Sequence, residues 1–265
     1  MGDIVLIDLA GGVATVTLNR PEKKNALSME MFTAIAEAGE GLKAVAGLRA
    51  VILTGAGGDF CAGFDFAAIG QLATDLDAIR TRLATPLPGG KANWFQKPPT
   101  VWAELPVPVI AAIEGVCLGG GLQIALGADI RLARPDARLS IMESRWGLIP
   151  DMGITQSLPK LMRADQAKRL MMTAEMVTGE RAAALGLVTE LAEDPMADAR
   201  ALAAGIAARS PDAVAGIKRL VDSTWTLPEG EGLAVEAALQ APIIGAPNQV
   251  EAVAANMQKR PPRFR

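Results

Sequence analysis

Acidic side chains are the first candidates for proton transfer near neutral pH, because the 265 residues of this chain include no histidine and no tyrosine. Lysine, cysteine, a water held by the backbone or the substrate itself are the other groups that could transfer a proton. The absence of histidine excludes Ser-His-Asp and Cys-His catalysis and histidine-ligated metal sites, so no metal site is predicted. Cys61 and Cys117 lack the activating base that a cysteine nucleophile needs, and both are predicted to be small packing residues. Acid–base chemistry is therefore expected to depend on aspartate or glutamate.

Two glycine-rich segments could supply hydrogen-bond donors for a developing negative charge. Segments 55–66 and 116–124 each follow a predicted strand and enter a predicted helix, where backbone N–H groups remain unpaired. Two nucleotide-binding motifs are excluded. The first segment does not match the dinucleotide-binding fingerprint, because Phe60 replaces its third glycine. A separate glycine pair in 89–92 is not a phosphate-binding loop, because it lacks the required Ser/Thr. If the two junctions face each other, two amides could stabilise one oxyanion. Alternatively, the glycines only permit tight turns and close packing.

The composition indicates a folded protein with a large core. Half of the residues are hydrophobic, 21% are charged and the formal net charge is −3. This balance offers no cationic surface, so nucleic acid is not a predicted partner. Long uncharged apolar runs and a basic amino-terminal region are both missing, so we predict neither a membrane partner nor export. With only two cysteines, the predicted location is the cytoplasm.

Strands and helices alternate over about the first 190 residues, and the remainder is largely helical. A helix is predicted from Ser28, a plausible N-cap, to about Val45, another ends near Leu126, and a helical pattern resumes at Asp151. The predicted strands are 4–9, 13–18, 50–54, 109–113, 129–133, 138–142 and 187–191.

The segment 74–106 is the least regular part of the chain, because it contains five prolines and two adjacent glycines. It also contains Trp94, Phe95 and Trp102. Two interpretations stay open for this segment: a mobile insertion, or a lid over an apolar pocket.

Four motifs occur in a characteristic order: LNRPEKKNAL (18–27), LTGAGGDFCAGFD (53–65), AIEGVCLGGGLQ (112–123) and ESRWGLIPD (143–151). In these motifs the chain resembles the crotonase family, also called the enoyl-CoA hydratase/isomerase superfamily, over nearly its full length. The resemblance implies an α/β fold, a crotonase-type spiral of ββα units over 1–192 with a helical C-terminal region over 193–265. It also implies assembly through that region into a homotrimer or a dimer of trimers.

The resemblance assigns an oxyanion hole to two backbone amides, those of Phe64 and Gly120. In family hydratases two glutamates move protons, but the first position holds Gln123 here and only the second, Glu143, is a carboxylate. Asp151 matches a second acid of the dienoyl-CoA isomerase branch, although it could instead be a helix N-cap. Glu143 could also be an ordinary acid at a strand end. An apolar pocket with Trp146, Leu148 and Trp94 is expected to raise the pKa of Glu143.

Coenzyme A, according to the resemblance, enters as part of the substrate, and no prosthetic group is predicted. The residues implied in its binding are Lys23, Lys24, Asn25, Ala26, Leu27, Ala62, Gly63, Asp65 and Lys259. Lys23 and Lys24 could equally be surface lysines that contact only solvent. The resemblance is incomplete near Lys259, because Asn256 occupies a position where an aromatic residue is expected.

The function that the resemblance implies is an acyl-CoA enzyme acting on enoyl-CoA thioesters through an oxyanion-stabilised enolate. Isomerisation of a double bond is favoured, because an amide cannot exchange a proton and Gln123 therefore breaks the two-carboxylate arrangement for adding water. Hydration with Glu143 as sole carboxylate is the closest alternative, and thioester decarboxylation or hydrolysis also stay open. A non-catalytic coenzyme A- or RNA-binding relative is the alternative from another class.

Overall fold

The computed structural model describes residues 3–65 and 75–265, and its strands form two sheets. The larger sheet has the order β1-β2-β3-β4-β6-β9, with strands Val5–Ala10, Val13–Leu18, Ala50–Gly55, Val109–Ile113, Ile130–Ala133 and Glu190–Leu191. The smaller has the order β5-β7-β8, with strands Val116–Leu118, Arg138–Ser140 and Val177–Thr178. β1 and β2 form the predicted antiparallel hairpin, and the large sheet is parallel from β2 onward.

The helices of the described residues surround these sheets. In chain order they are α1 (Met29–Leu42), α2 (Leu76–Ala84), α3 (Lys97–Thr100), α4 (Gly120–Leu126), α5 (Ile154–Ser157), α6 (Ala164–Thr173), α7 (Gly179–Ala184), α8 (Pro195–Ala207), α9 (Pro211–Thr224), α10 (Glu229–Gln240) and α11 (Pro247–Met257). Ser28 is the N-cap of α1, as predicted, because its side chain accepts a hydrogen bond from the Met31 amide. None of these helices is both long and apolar enough to span a bilayer.

From β4 to β7, consecutive strands alternate between the two sheets, in agreement with the predicted spiral of ββα units. β4 joins the large sheet and β5 the small one before α4, and β6 and β7 repeat this alternation. The fold class is therefore confirmed. Because β3 and β4 are parallel neighbours, their carboxyl ends lie at the same edge, and the two glycine-rich segments both begin there.

The central strands β3 and β4 of the large sheet are buried on both faces, whereas its edge strands β1 and β9 are largely exposed. Val51 and Leu53 of β3 face a core that includes α1 and α4, whereas Ala50 and Ile52 face Ala residues of α8. The first helix after residue 193 thus packs directly on the sheet. The boundary at 192/193 stays a prediction, since packing across it does not show whether the helical region folds separately.

Several predicted elements differ in extent from those of the structure. α1 ends at Leu42 rather than near Val45. β5 is a separate three-residue strand hidden within the second glycine-rich segment, where it is too short for a recognisable pattern. Of the predicted strand 187–191, only Glu190–Leu191 pairs with β6, because the Leu187 amide instead donates to Ala182 in α7.

Part of the segment 74–106 belongs to the core. Trp102 is fully buried and Phe95 nearly so, and both pack in the main hydrophobic cluster, so a mobile insertion is wrong for this half. By contrast, α2 has no buried residue. Residue 74 of this segment and residue 66 of the predicted junction 55–66 lie outside the described residues.

Candidate active site

The segment 60–65 lies between β5 and the loop 24–27 and bonds to both. On one side, the Cys61 amide donates to Val116 (3.0 Å) and the Leu118 amide donates to Cys61 (2.9 Å). On the other side, the Leu27 amide donates to Gly63 (2.8 Å). The first glycine-rich segment is thus held next to the second, through isolated β-bridges at Cys61 and Phe64.

Glycine is required where the two segments touch. A Cβ at Gly63 would lie 2.9 Å from the Leu118 carbonyl oxygen, and its φ of +87° disfavours other residues. A Cβ at Gly121 would lie 2.6 Å from the Cys61 Cβ, closer than packed atoms allow. The two junctions therefore face each other, so the glycines serve close approach and the arrangement of facing amides is sterically possible.

The amides of Phe64 and Gly120 donate to none of the described residues. Gly63 and Asp65, which flank Phe64, use their backbone groups on Leu27, so the intervening Phe64 N–H points away from that loop. Gly120 is the first residue of α4, where an N–H has no intrahelical acceptor. Both predicted oxyanion donors therefore lack an acceptor within residues 3–65 and 75–265. The residues that precede them, Gly63 and Gly119, lie next to each other.

Gln123 and Glu143 form a direct side-chain hydrogen bond. Gln123, in α4, accepts a hydrogen bond from the Met152 amide at its Oε1 (2.9 Å). This contact orients the side chain so that its Nε2 donates to Glu143 Oε1 (2.7 Å). The other carboxylate oxygen, Oε2, is buried and has no hydrogen-bond partner among the described residues. A base held by one oxygen thus has its second oxygen available.

Burial raises the pKa of Glu143, the hydrogen bond from Gln123 opposes this shift, and the negative charge of Asp151 adds to it. Trp146 and Leu148 are 50% and 61% exposed, and their effect on the pKa of Glu143 stays a prediction. The carboxylate lies against Gly119, where a Cβ would be 3.4 Å from Oε1.

Trp94, the third residue expected near Glu143, belongs to an aromatic cluster beside Phe64. The Phe32 ring stacks on Trp94 at a centroid distance of 5.1 Å and contacts Phe64 at 5.0 Å. Trp94 therefore contacts Phe32, which in turn contacts Phe64 of the proposed oxyanion segment.

Asp151 precedes α5, but the N-cap of that helix is Gly153 and no side chain caps it. The helix-cap interpretation of Asp151 is therefore wrong. Burial raises the pKa of Asp151 as well. The negative charge of Asp151 in turn raises the pKa of Glu143, so the two carboxylates interact electrostatically.

The loop 23–27 divides into a buried part and an exposed part. Asn25 is fully buried, and its Nδ2 donates to the carbonyls of Ala56 (2.9 Å) and Asp59 (2.7 Å). Leu27 and Ala26 are also buried, whereas Lys23 and Lys24 face solvent. Within this loop only the lysines and exposed backbone could meet a ligand, so the side chain of Asn25 has a structural role.

Across the loop, Arg20 donates to the Ala26 carbonyl (2.7 Å) and pairs with Asp65 (3.1 Å). The amide of Ala62 donates to the Lys24 carbonyl (2.9 Å). The predicted coenzyme A residues of the first two motifs therefore form one connected surface. Arg20 was missed as a positioning residue, although it lies within the first motif.

Lys259 lies apart from this surface. It precedes the carboxyl-terminal tail, in which the Phe264 ring lies beneath Arg49, next to the start of β3. The site lies at the opposite, carboxyl end of that strand. Among the described residues no hydrogen bond or ion pair joins Lys259 to the loop 23–27, and its predicted role stays a prediction.

The cysteines are packing residues, as predicted. Cys61 and Cys117 are both fully buried, and the Cys61 thiol donates to the Asn25 carbonyl (3.1 Å). Burial raises the pKa of Cys61 to about 12 and that of Cys117 well above its usual value. Neither thiol is therefore a nucleophile at neutral pH.

Comparison with known proteins agrees with this geometry. A model of the enoyl-CoA hydratase/isomerase family matches residues 8–265. An enoyl-CoA hydratase of Mycobacterium tuberculosis is 32% identical over 270 residues, 99% of this chain and 97% of the relative. A peroxisomal Delta(3,5)-Delta(2,4)-dienoyl-CoA isomerase of Arabidopsis thaliana is 32% identical over 267 residues, 99% and 96% of the two chains. The crystal structure of an enoyl-CoA hydratase from Bacillus anthracis, 29% identical, matches with a TM-score of 0.90 over 99% of each chain.

The names of these relatives include both reaction types. They establish a crotonase fold and a family of enoyl-CoA enzymes, but they do not support the predicted preference for isomerisation over hydration.

Proposed function

Because the chain belongs to the enoyl-CoA hydratase/isomerase family, we propose that it moves a double bond along the acyl chain of an enoyl-CoA or dienoyl-CoA. The thioester carbonyl would bind to the amides of Phe64 and Gly120, and Glu143 would take the proton and return it. The observation that carries this proposal is the hydrogen bond from Gln123 to Glu143 Oε1, which leaves Oε2 of this carboxylate with no partner in the part of the chain that the structure describes.

A single base suits a proton shift. Removal of a proton from the acyl chain produces an enolate, whose charge two backbone donors would stabilise. Glu143 Oε2, which has no partner among the described residues, would hold that proton and deliver it to another carbon. A raised pKa favours the first step, because the carboxylate of a weaker acid is a stronger base toward the acyl-chain proton.

Asp151 is the proposed second group for conjugated substrates. A proton that returns to a distant carbon of a dienoyl chain needs either a long movement of Glu143 or a second acid. The raised pKa of Asp151 and its electrostatic influence on Glu143 support this role.

Hydration is the second candidate, favoured by the hydratase names among the relatives. In that reaction Gln123 would orient the water and Glu143 would carry all proton transfer. Three thioesters separate the two reactions: crotonyl-CoA, a 3-enoyl-CoA and a 3,5-dienoyl-CoA. We expect a double-bond shift with at least one of the last two; fast water addition to crotonyl-CoA without any shift would refute isomerisation.

We propose that coenzyme A binds across the exposed parts of 23–27 and 62–65, with Lys23 and Lys24 toward its phosphates. Support comes from the connected surface that Arg20, Lys24 and Asp65 form, with two lysines exposed at its rim. A contribution from Lys259 stays a prediction. Isothermal titration calorimetry tests this placement by comparing the affinity for coenzyme A of the native protein and of a Lys23→Met, Lys24→Met variant.

Assembly into a trimer or a dimer of trimers is proposed on the exposed apolar side chains of the last helices. Neither α9 nor α10 buries any residue within the chain. Exposed here are Ile217, Val221, Trp225, Leu233, Ile244, Val250, Val253 and Met257. The first three also line a cavity of about 960 Å³ that opens beside α9. A second copy of the chain would cover this surface. The cytoplasmic location stays a prediction.

A further inference from the structure

Asp59 occupies the point where the two proposed oxyanion segments begin to pair. Its Oδ1 accepts a hydrogen bond from the Val116 amide (2.9 Å), and its backbone carbonyl accepts one from Asn25 (2.7 Å). In a regular parallel ladder, the Val116 amide would donate to that backbone carbonyl, because Cys61 pairs with Cys117 two residues further on. The carboxylate therefore replaces the first backbone rung of the ladder.

This rung is partly buried and tightly packed. Val116 is only 4% exposed, so loss of the carboxylate would remove the acceptor that its N–H uses in the structure. Gly115 has a φ of +54°, and a Cβ there would lie 2.3 Å from Asp59 Oδ1. The neighbouring backbone is thus shaped to bring the carboxylate against the start of β5.

The position of β5 decides the position of Gly120. β5 has only three residues, and Gly120 begins α4 two residues after it. Without the first rung, the residues of β5 would be bonded to the segment 60–65 only through Cys61. One further bond, from the Phe60 amide to the Glu114 carbonyl, would remain just before β5. A shift of β5 of a few tenths of an ångström would misalign the two donors.

We propose that Asp59 is a positioning residue, which aligns the Gly120 amide with the Phe64 amide through its hydrogen bond to Val116. This inference rests on the proposed oxyanion role of those amides. Asp59 Oδ2 also pairs with Lys24 (3.1 Å), but the Lys24 side chain is 55% exposed, so this pair contributes little. The effect is therefore on the reaction step rather than on coenzyme A binding.

Two substitutions separate the roles of the carboxylate. Asp59→Asn keeps an oxygen that can accept from the Val116 amide and loses the charge, whereas Asp59→Ala loses both. We expect kcat to fall about tenfold or more in Asp59→Ala, with KM changed less than threefold, and to recover to within about threefold of the native value in Asp59→Asn.

Asp194→Ala is the matched control. The Asp194 carboxylate also accepts one backbone amide at 2.9 Å, that of Ala197, but it does so at the N-cap of α8, and we assign it no role in the site. It should lower the melting temperature and leave kcat unchanged. A purely structural role for Asp59 would give the same result in Asp59→Ala, which would overturn the proposal.

A spectroscopic measurement reports on the donors without turnover. Hydrogen bonds to the carbonyl of bound 2,4-hexadienoyl-CoA shift its absorption to longer wavelength; we expect this shift to shrink in Asp59→Ala and to be retained in Asp59→Asn. Equal loss in both variants, or retention in both, would refute the proposal. If the native protein shifts the spectrum but catalyses neither isomerisation nor hydration, the proposed reaction fails while the comparison of Asp59 variants remains decisive.

Discussion

The substitution Gln123→Glu would place a second carboxylate beside the proposed base. Gln123 Nε2 lies 2.7 Å from Glu143 Oε1, so the two charged groups would be centred about 4 Å apart. At an effective dielectric constant of about 20, two like charges at this distance repel by about 4 kcal/mol, which corresponds to about three pH units. The pair would retain one shared proton at neutral pH.

The pH dependence of kcat/KM measures this effect. In the native protein, burial raises the pKa of Glu143, so activity is lost as the pH falls through a value above the ordinary 4.5. Gln123→Glu should move this acidic limb to higher pH by about three units. Gln123→Met, which removes the hydrogen bond without adding charge, should move it in the same direction by about one unit.

An acidic limb that stays in place in Gln123→Glu would refute the reasoning, because either the two side chains are not in contact or Glu143 is not the base. The same variant should gain water addition to crotonyl-CoA relative to double-bond shift, since it restores two carboxylates.

Other predictions follow from the same contacts. Glu143→Gln should lower kcat by about 10² or more with unchanged affinity for coenzyme A in isothermal titration; retained turnover would remove Glu143 from the mechanism. Asn25→Ala should lower the free energy of unfolding in urea by about 3 kcal/mol, because its buried amide bonds two carbonyls; a loss below 1 kcal/mol would contradict this. Trp225→Ser should lower the sedimentation coefficient if the exposed face of α9 is an interface; unchanged sedimentation of a trimer would place the interface elsewhere. Filter binding at physiological salt should detect no RNA binding; tight salt-sensitive binding would favour the RNA-binding alternative.

The fold was predictable from local patterns and motif order. The hairpin 4–18 follows from β-branched residues on both sides of Gly11–Gly12, and α1 from its N-cap Ser28. In the large sheet, β3 and β4 follow from short apolar runs before glycine. Patterns failed where an element is too short or its burial is non-local. β5 has three residues, and Trp102 is core although prolines surround it.

The site was predictable by residue type but not by contact. Gln123 and Glu143 were both identified, yet their hydrogen bond joins α4 to a segment after β7, a pairing decided by the topology of the spiral. The buried role of Asn25 and the rung formed by Asp59 depend on which carbonyls lie nearby. Trp146 and Leu148 show the converse: apolar type does not ensure burial, and both remain exposed in the single chain.

A crystal structure with a bound, unreactive acyl-CoA thioester tests the central claim most directly. We predict that the carbonyl oxygen lies within about 3.2 Å of both the Phe64 and Gly120 nitrogens, with Glu143 Oε2 facing the acyl carbons. A carbonyl bound elsewhere, or an acyl chain out of reach of Glu143, would contradict the proposed mechanism.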